Sequence, residues 1–266
     1  MKIIARGRAL QSLLSTSLLV GLTLAPVLRT AAAAELHVAV AANFSGPLRQ
    51  LAPLYQRRSG NQLVISAGSS GQLYTQIRQG APFDVFLSAD TDKPQQLQRE
   101  SLAVAGSRFI YAIGTLVLWS PQADLIDADG KALQAERYRF ISIANPQTAP
   151  YGTAAQQVLT RLGLWDQLNQ GRKIVVGENI TQTWQFAATG NVDLAFVALS
   201  QVLDADGRIA GSSWKPPQNL YDPIEQAAVA LSGSKQQPAA QAFLAWLRTD
   251  PGALAVIHAA GYRTPH

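Results

Sequence analysis

Cysteine is absent from the 266 residues of this sequence, and there are only three histidines and one methionine. Without cysteine, the chain can form no disulfide bond and has no thiol nucleophile. His37, His258 and His266 are scattered and lack the spacing of metal ligands. These absences argue against a disulfide-stapled domain, a thiol enzyme and a structural zinc site.

Long apolar runs are also missing, except at the N-terminus. Lys2, Arg6 and Arg8 precede an apolar stretch over residues 9–28, and a small-residue tract follows at residues 30–34. Basic, apolar and small residues in this order are typical of a secretory signal peptide. We therefore predict that residues 1–34 are a signal peptide that is cleaved. A membrane anchor is the less favoured alternative, because the apolar stretch is interrupted and short for a bilayer.

Net positive charge is scarce once this leader is set aside. The whole chain has a formal charge of +5 and a pI of about 9.6. Four basic residues and no acidic residue lie in residues 1–34, so the remainder is nearly neutral. An argument for nucleic acid or a membrane surface from the pI therefore fails, and we expect no nucleic-acid partner.

The part of the chain after the leader alternates strand-like and helix-like segments. Three strands are predicted at residues 36–42, 62–66 and 84–88, with helices beginning near Ser45 and Leu73 between them. Three strands with intervening helices in about 55 residues indicate an α/β unit with a parallel sheet.

A second α/β series follows a long apolar strand predicted at residues 110–119. Its predicted strands are residues 139–144, 173–176 and 193–199, and its predicted helices are residues 153–162 and 182–188. Residues 211–223 are predicted to be a loop. A last strand and two amphipathic helices, residues 227–231, 238–247 and 251–259, could close the second lobe or return to the first. The pattern predicts two α/β lobes with a cleft at the carboxyl ends of their strands.

Four strand-to-helix turns carry neutral hydrogen-bond donors. They are Ala42 with Asn43, Ser69 with Ser70, Pro150 with Tyr151, and Asn179 with Ile180. If they converge, their N–H groups, amides and hydroxyls would hold a fully ionised oxyanion without a cation. A protonated oxyanion such as hydrogen phosphate would need an acceptor, which these turns lack. Ordinary helix capping is the alternative explanation for each turn taken singly.

Signals of catalysis are weak. The Gly-x-Ser-x-Gly motif, a Walker lysine and a dinucleotide fingerprint are all missing. A secreted hydrolase that uses Ser69 or Ser70 would need His37 or His258 as its base. Asp84, Asp90 and Asp92 could form an acidic metal cluster, but solvated or helix-capping roles are favoured for Asp90 and Asp92. We therefore predict that the protein is not an enzyme.

Several strings resemble the bacterial periplasmic molybdate-binding proteins. They are residues 39–44 (AVAANF), 67–73 (AGSSGQL), 80–90 (GAPFDVFLSAD), 145–146 (NP), 149–152 (APYG), 163–165 (GLW) and 196–200 (FVALS). The resemblance covers nearly the whole chain after the leader, and the string at residues 80–90 is the most specific.

The resemblance implies a two-lobe periplasmic binding protein of type II. Each lobe would be a mostly parallel sheet flanked by helices, with two crossing strands between them near residues 116–119 and 225–228. It implies a first lobe of residues 35–117 and 226–266 and a second lobe of residues 118–225. Such a protein works as a periplasmic monomer that delivers its ligand to an inner-membrane ABC permease.

The same resemblance implies the ligand and its contacts. Molybdate or tungstate would be held by Asn43, Ser70 and the N–H groups of Ala42, Tyr151 and Ile180. These groups contact oxyanion oxygens, so there would be no direct metal ligand and no cofactor. Some members use a tyrosine where this chain has Ala198, and we expect the Asn43 side chain to replace that donor. A receptor for sulfate or another oxyanion is the alternative within the binding class.

Overall fold

Two five-stranded sheets form the framework of the protein. The computed structural model describes residues 33–135 and 137–265, so the predicted signal peptide lies almost wholly outside the described residues. The strands are β1 (Glu35–Ala41), β2 (Gln62–Gly68), β3 (Val85–Leu87), β4 (Phe109–Gly114), β5 (Leu116–Ser120), β6 (Ile141–Ala144), β7 (Ile174–Gly177), β8 (Leu194–Ala198), β9 (Ser212–Trp214) and β10 (Ile224–Ala230).

Eight α-helices flank these sheets in the described part of the chain. They are α1 (Ser45–Ser59), α2 (Ser70–Arg78), α3 (Asp92–Arg99), α4 (Pro150–Arg161), α5 (Trp165–Gln170), α6 (Ile180–Ala188), α7 (Gln237–Thr249) and α8 (Pro251–Ala259). In those same residues, no helix is long and apolar enough to cross a membrane.

The strand order confirms the predicted α/β architecture with two mostly parallel units. The first sheet has the order β2-β1-β3-β10-β4, and the second has the order β7-β6-β8-β5-β9. In each sheet the strands of the α/β series pair in parallel, whereas β10 in the first sheet and β5 in the second run antiparallel to their neighbours. We call each sheet with the helices packed on it a lobe.

The chain passes between the lobes twice. The first passage is at Thr115, between β4 and β5, and the second lies between β9 and β10. The prediction of one long strand at residues 110–119 is therefore wrong, because this segment forms the two strands β4 and β5, which belong to different sheets. The lobe boundaries given above stay a prediction.

The C-terminal helices pack against the first lobe, which settles a question that the residues alone left open. Helix α7 contacts β10, and α8 contacts α1 and α7. Phe243, Leu247 and Ile257 from these helices join Leu36 and Leu48 in one buried cluster.

The predicted helices all form, but three begin two or three residues earlier than expected. Helices α2, α4 and α6 begin at Ser70, Pro150 and Ile180. Their first turns contain polar residues or proline, so the helical spacing of apolar residues is not visible there. Two helices were missed: α3, which buries only Pro94 and Leu97, and α5. The predicted loop at residues 211–223 also contains the short strand β9.

One carboxylate fixes the entry into the strand β6. Asp193 accepts hydrogen bonds from the backbone N–H groups of Arg139 and Phe140, at 2.7 and 3.4 Å, and pairs with the Arg139 guanidinium at 2.9 Å. Burial favours a higher pKa, but these donors outweigh it and hold the pKa of Asp193 below its ordinary value.

We expect Asp193→Asn to lower the free energy of unfolding by about 1–2 kcal/mol at neutral pH, because bonds to a charged acceptor are lost. The folded-state pKa is lowered, so this stabilisation is present above the unfolded-state pKa and disappears as pH falls through the folded-state value. Urea titrations between pH 7 and pH 3 measure it. Asp124→Asn at an exposed position is the control, and a deficit that persists undiminished at acid pH would contradict the assignment.

Candidate functional site

Three α-helices and one 3₁₀ turn begin at a single small cavity between the lobes. The cavity is lined by Ala41, Ala42, Asn43, Gly68, Ser69, Ser70, Ala89, Ala149, Pro150, Tyr151, Asn179 and Ile180. The structure therefore brings together all five residues that were predicted to bind the ligand. Ala198 is not among the lining residues.

The first lobe contributes the turn after β1 and the start of α2. Ala42 and Asn43 open the 3₁₀ turn Ala42–Phe44, and Ser70 is the first residue of α2. Ser69 caps α2, because its Oγ accepts from the N–H of Gln72 while the Gln72 side chain accepts from the N–H of Ser69. The first N–H groups of a helix have no backbone acceptor within that helix, so each needs another partner, which can be a cap, the opposite lobe or a ligand.

The second lobe contributes the starts of α4 and α6. Pro150 occupies the first position of α4 and has no N–H, so Tyr151 carries the first donor of that helix. Asn179 caps α6 by accepting from the N–H groups of Thr181 and Gln182 at 3.0 and 3.1 Å. Ile180 is the first residue of α6, and its N–H has no acceptor within the helix.

The Ser70 hydroxyl is oriented by a bond that it accepts. The N–H of Ala89 donates to the Ser70 Oγ at 2.9 Å, and the residue is almost completely buried. A hydroxyl has one proton to donate, and this proton is not used by the Ala89 bond. Ser70 can therefore donate into the cavity that it lines.

The Asn43 side chain does not point its donors into the cavity, which corrects the expectation that it replaces a tyrosine. Its Nδ2 donates to the Oε1 of Gln226 at 2.8 Å and to the hydroxyl of Tyr262 at 2.9 Å. An amide nitrogen has two protons, and both are engaged in these bonds. The donor that Asn43 has left for a ligand is its backbone N–H.

The cavity is small and has no charged wall. It is far too small for a typical organic ligand. None of the described residues that line it has an ionisable carboxylate, ammonium, guanidinium or imidazole group. The helix starts supply partial positive charge instead, so the site is suited to an anion.

The lobes touch on both sides of the cavity. On one side the N–H of Gly71 donates to the carbonyl of Thr148 at 2.8 Å, and on the other the hydroxyl of Ser200 donates to the carbonyl of Asn43 at 2.9 Å. The structure is therefore in a closed arrangement, in which the lobes contact each other beside the cavity.

Buried phenols lie behind the cavity, and the sequence patterns indicate no role for their hydroxyls. Tyr111, Tyr151 and Tyr262 are each almost fully buried. Burial raises the pKa of Tyr111 and Tyr151 well above the ordinary value and raises the pKa of Tyr262 to about 12. These groups stay neutral at physiological pH. One residue in the sequence hinted at a buried polar cluster here: Gln226, a polar side chain at the edge of the apolar strand predicted at residues 227–231.

The alternatives based on catalysis or metal binding receive no support from the side-chain contacts. The Ser69 and Ser70 hydroxyls bond to backbone N–H groups, whereas His37 pairs with Glu35 and His258 with Thr264. Asp84 accepts from the N–H of His37, and Asp90 accepts from the N–H of Lys93 at the start of α3. In the described ranges, no three histidine or acidic side chains are grouped as metal ligands.

A comparison with protein families gives the class of the molecule. The family model for the bacterial extracellular solute-binding proteins matches residues 36–263. The chain belongs to that family. The binding of solutes by this family agrees with a site that lies between two lobes.

Individual relatives of this solute-binding protein carry narrower names. It is 49% identical over 233 residues to the molybdate-binding protein ModA of Azotobacter vinelandii, covering 87% of this chain and 91% of that one. It is 46% identical over 234 residues to ModA of Rhodobacter capsulatus, covering 88% and 90%.

A solved structure supports the same relationship. The periplasmic molybdate-binding protein of Azotobacter vinelandii superimposes on this solute-binding protein with a TM-score of 0.86 at 47% identity, covering 87% of this chain and all of that one. The two-lobe fold predicted from the sequence is therefore confirmed.

Proposed function

We propose that the protein is a periplasmic receptor for molybdate and tungstate. It captures the dianion between its lobes and delivers it to an inner-membrane ABC permease. The names of its relatives support molybdate as the ligand, and one of them supports the periplasm as the location. We further propose that it acts as a monomer and that residues 1–34 direct its export. The protein needs no cofactor and performs no catalysis.

The observation that carries this proposal is the convergence of helix starts on an uncharged cavity. The proposed ligand contacts are the Ser70 hydroxyl and the N–H groups of Ala42, Asn43, Tyr151 and Ile180. Hydrogen bonds to a charged acceptor contribute about 1.5–3 kcal/mol each, so a few such donors hold a dianion without a cation.

The donor set also explains which oxyanions are refused. A protonated anion such as hydrogen phosphate presents an O–H group, and an uncharged cage of donors has no acceptor for it. Sulfate has the same charge and shape as molybdate but shorter bonds. Donors fixed at helix starts would lie too far from its oxygens, and long hydrogen bonds are weak.

Calorimetric titration of the mature, ligand-stripped protein tests the proposal. We expect one-to-one binding of molybdate and tungstate, with negligible heat from sulfate and phosphate at the same ionic strength. Equal binding of sulfate would favour a general oxyanion receptor, and the absence of any oxyanion binding would refute the proposal.

Replacing Ser70 with alanine tests the donor hydroxyl. We expect Ser70→Ala to raise the Kd for molybdate by roughly 5- to 150-fold, which corresponds to about 1–3 kcal/mol. The physical reason is the loss of one bond to a charged oxygen. The control is Ser142→Ala, which removes a buried hydroxyl bonded to the carbonyl of Thr183 in the second lobe. An unchanged Kd in Ser70→Ala would remove this residue from the site.

Closure depends on a residue without a side chain at the lobe contact. A Cβ atom on Gly71 would lie 3.0 Å from the Cα and 3.1 Å from the carbonyl oxygen of Thr148. Those are backbone atoms of the opposite lobe, so they cannot turn aside as a flexible side chain would. An alanine at position 71 would hold the lobes apart and stretch the Gly71–Thr148 hydrogen bond.

We therefore expect Gly71→Ala to raise the Kd for molybdate about tenfold, or about 1.4 kcal/mol. Position 71 lies within α2, where alanine is the better helix former, so the ligand-free protein should keep or gain thermal stability. Gly46→Ala is the matched control, since a Cβ there meets nothing within 4 Å in helix α1. Equal affinities for the two variants would contradict the role of this contact.

A further inference from the structure

A buried network of uncharged polar side chains lies directly behind the cavity and joins the two lobes. Asn43, Gln226 and Tyr262 come from the first lobe, and Tyr151 and Ser200 from the second. Asn43, Gln226, Tyr151 and Tyr262 are each at most 4% exposed. Such groups are stable in the interior only when their hydrogen bonds are satisfied.

The bonds of the network are satisfied in the closed arrangement. Gln226 accepts from Asn43 at 2.8 Å and donates from Nε2 to the Tyr151 hydroxyl at 3.3 Å. The Tyr262 hydroxyl donates to the carbonyl of Asn43 at 2.8 Å and lies 2.9 Å from the Ser200 Oγ.

Two residues belong to the cavity and to the network at once. Asn43 in the first lobe and Tyr151 in the second both line the cavity. Their side chains share one partner, Gln226, on the far side. The distance between the donors of the two lobes is therefore tied to the geometry of this network.

Packing leaves the network little freedom to adjust. Phe44 contacts the rings of Tyr111 and Tyr262 edge-on, with centroids 4.8 and 5.4 Å apart. The Tyr151 hydroxyl occupies the space beside Gly114, where a Cβ would lie only 2.1 Å from it. A fully satisfied and tightly packed polar network is rigid.

We propose that Tyr151, Gln226 and Tyr262 are positioning residues that set the size of the cavity and thereby its selectivity among tetrahedral oxyanions. The inference rests on the proposed function and deepens it. A rigid spacer keeps the two sets of donors at the separation that suits the larger dianions. When a hydrogen bond of this network is removed, the lobes can move closer together around a smaller anion. The affinity for molybdate then falls, while the affinity for sulfate stays the same or rises.

The experiment measures the Kd of molybdate and of sulfate by calorimetry for the mature wild-type protein, Tyr151→Phe and Tyr262→Phe. Each change removes a hydroxyl from the network and leaves every proposed ligand donor in place. We expect the selectivity for molybdate over sulfate to fall about tenfold in each variant. We expect the loss of selectivity in the double variant to be smaller than the product of the losses in the two single variants, because both hydroxyls act through one network.

Tyr55→Phe is the matched control. Tyr55 is as buried as the network tyrosines, in the core of the first lobe, and its hydroxyl bonds to the carbonyl of Ala239. We expect it to leave the selectivity unchanged.

Thermal melts separate positioning from stability. A lower melting temperature in Tyr151→Phe and Tyr262→Phe with unchanged selectivity would overturn the inference, as would an equal loss of selectivity in Tyr55→Phe. Failure of the wild-type protein to bind molybdate would instead overturn the proposed function, so the two failures are distinguishable.

Discussion

The backbone N–H groups at helix starts are the constraint on which this site depends. Each helix begins with donors that its own turns cannot satisfy, and α2, α4 and α6 all begin at one cavity. Parallel strands place these starts at the same edge of their sheet, so the fold gathers the donors. An anion satisfies them, whereas an apolar ligand would leave them buried and unpaired, at a cost of about 1–3 kcal/mol each.

One lobe alone offers donors on a single side, which explains why two are needed. The first lobe presents the turn Ala42–Phe44 and the start of α2, and the second presents the starts of α4 and α6. A tetrahedral anion has oxygens on every side, so the two half-sites must face each other. Contacts such as Gly71 with Thr148 bring the half-sites together and exclude water, and the exclusion of water strengthens each bond to the anion.

The sequence predicted what local signals encode. Alternating strands and helices gave the two-lobe architecture, and the helix-start residues Ser70, Tyr151 and Ile180 were found because capping positions have a recognisable composition. The break at Thr115 was missed because both strands are apolar and a single glycine, Gly114, is the only turn residue at the passage between sheets. The partners Asn43 and Tyr262 are 219 residues apart, and no periodicity relates such distant positions. The Asn43 side chain was therefore assigned to the ligand when its partners are in the protein.

The cavity walls and the network behind them are uncharged for the same physical reason, which is selection of the anion by its size. A cation at the cavity would attract any anion, and attraction between charges falls off slowly with distance. Hydrogen bonds from fixed neutral donors weaken steeply when the acceptor is out of place. Discrimination by size therefore requires that geometry, rather than charge, dominate the binding energy. The tyrosines serve this requirement because burial raises the pKa of each and keeps it uncharged at physiological pH. The same neutral side chains that join the lobes are consequently those best placed to set the spacing of the donors.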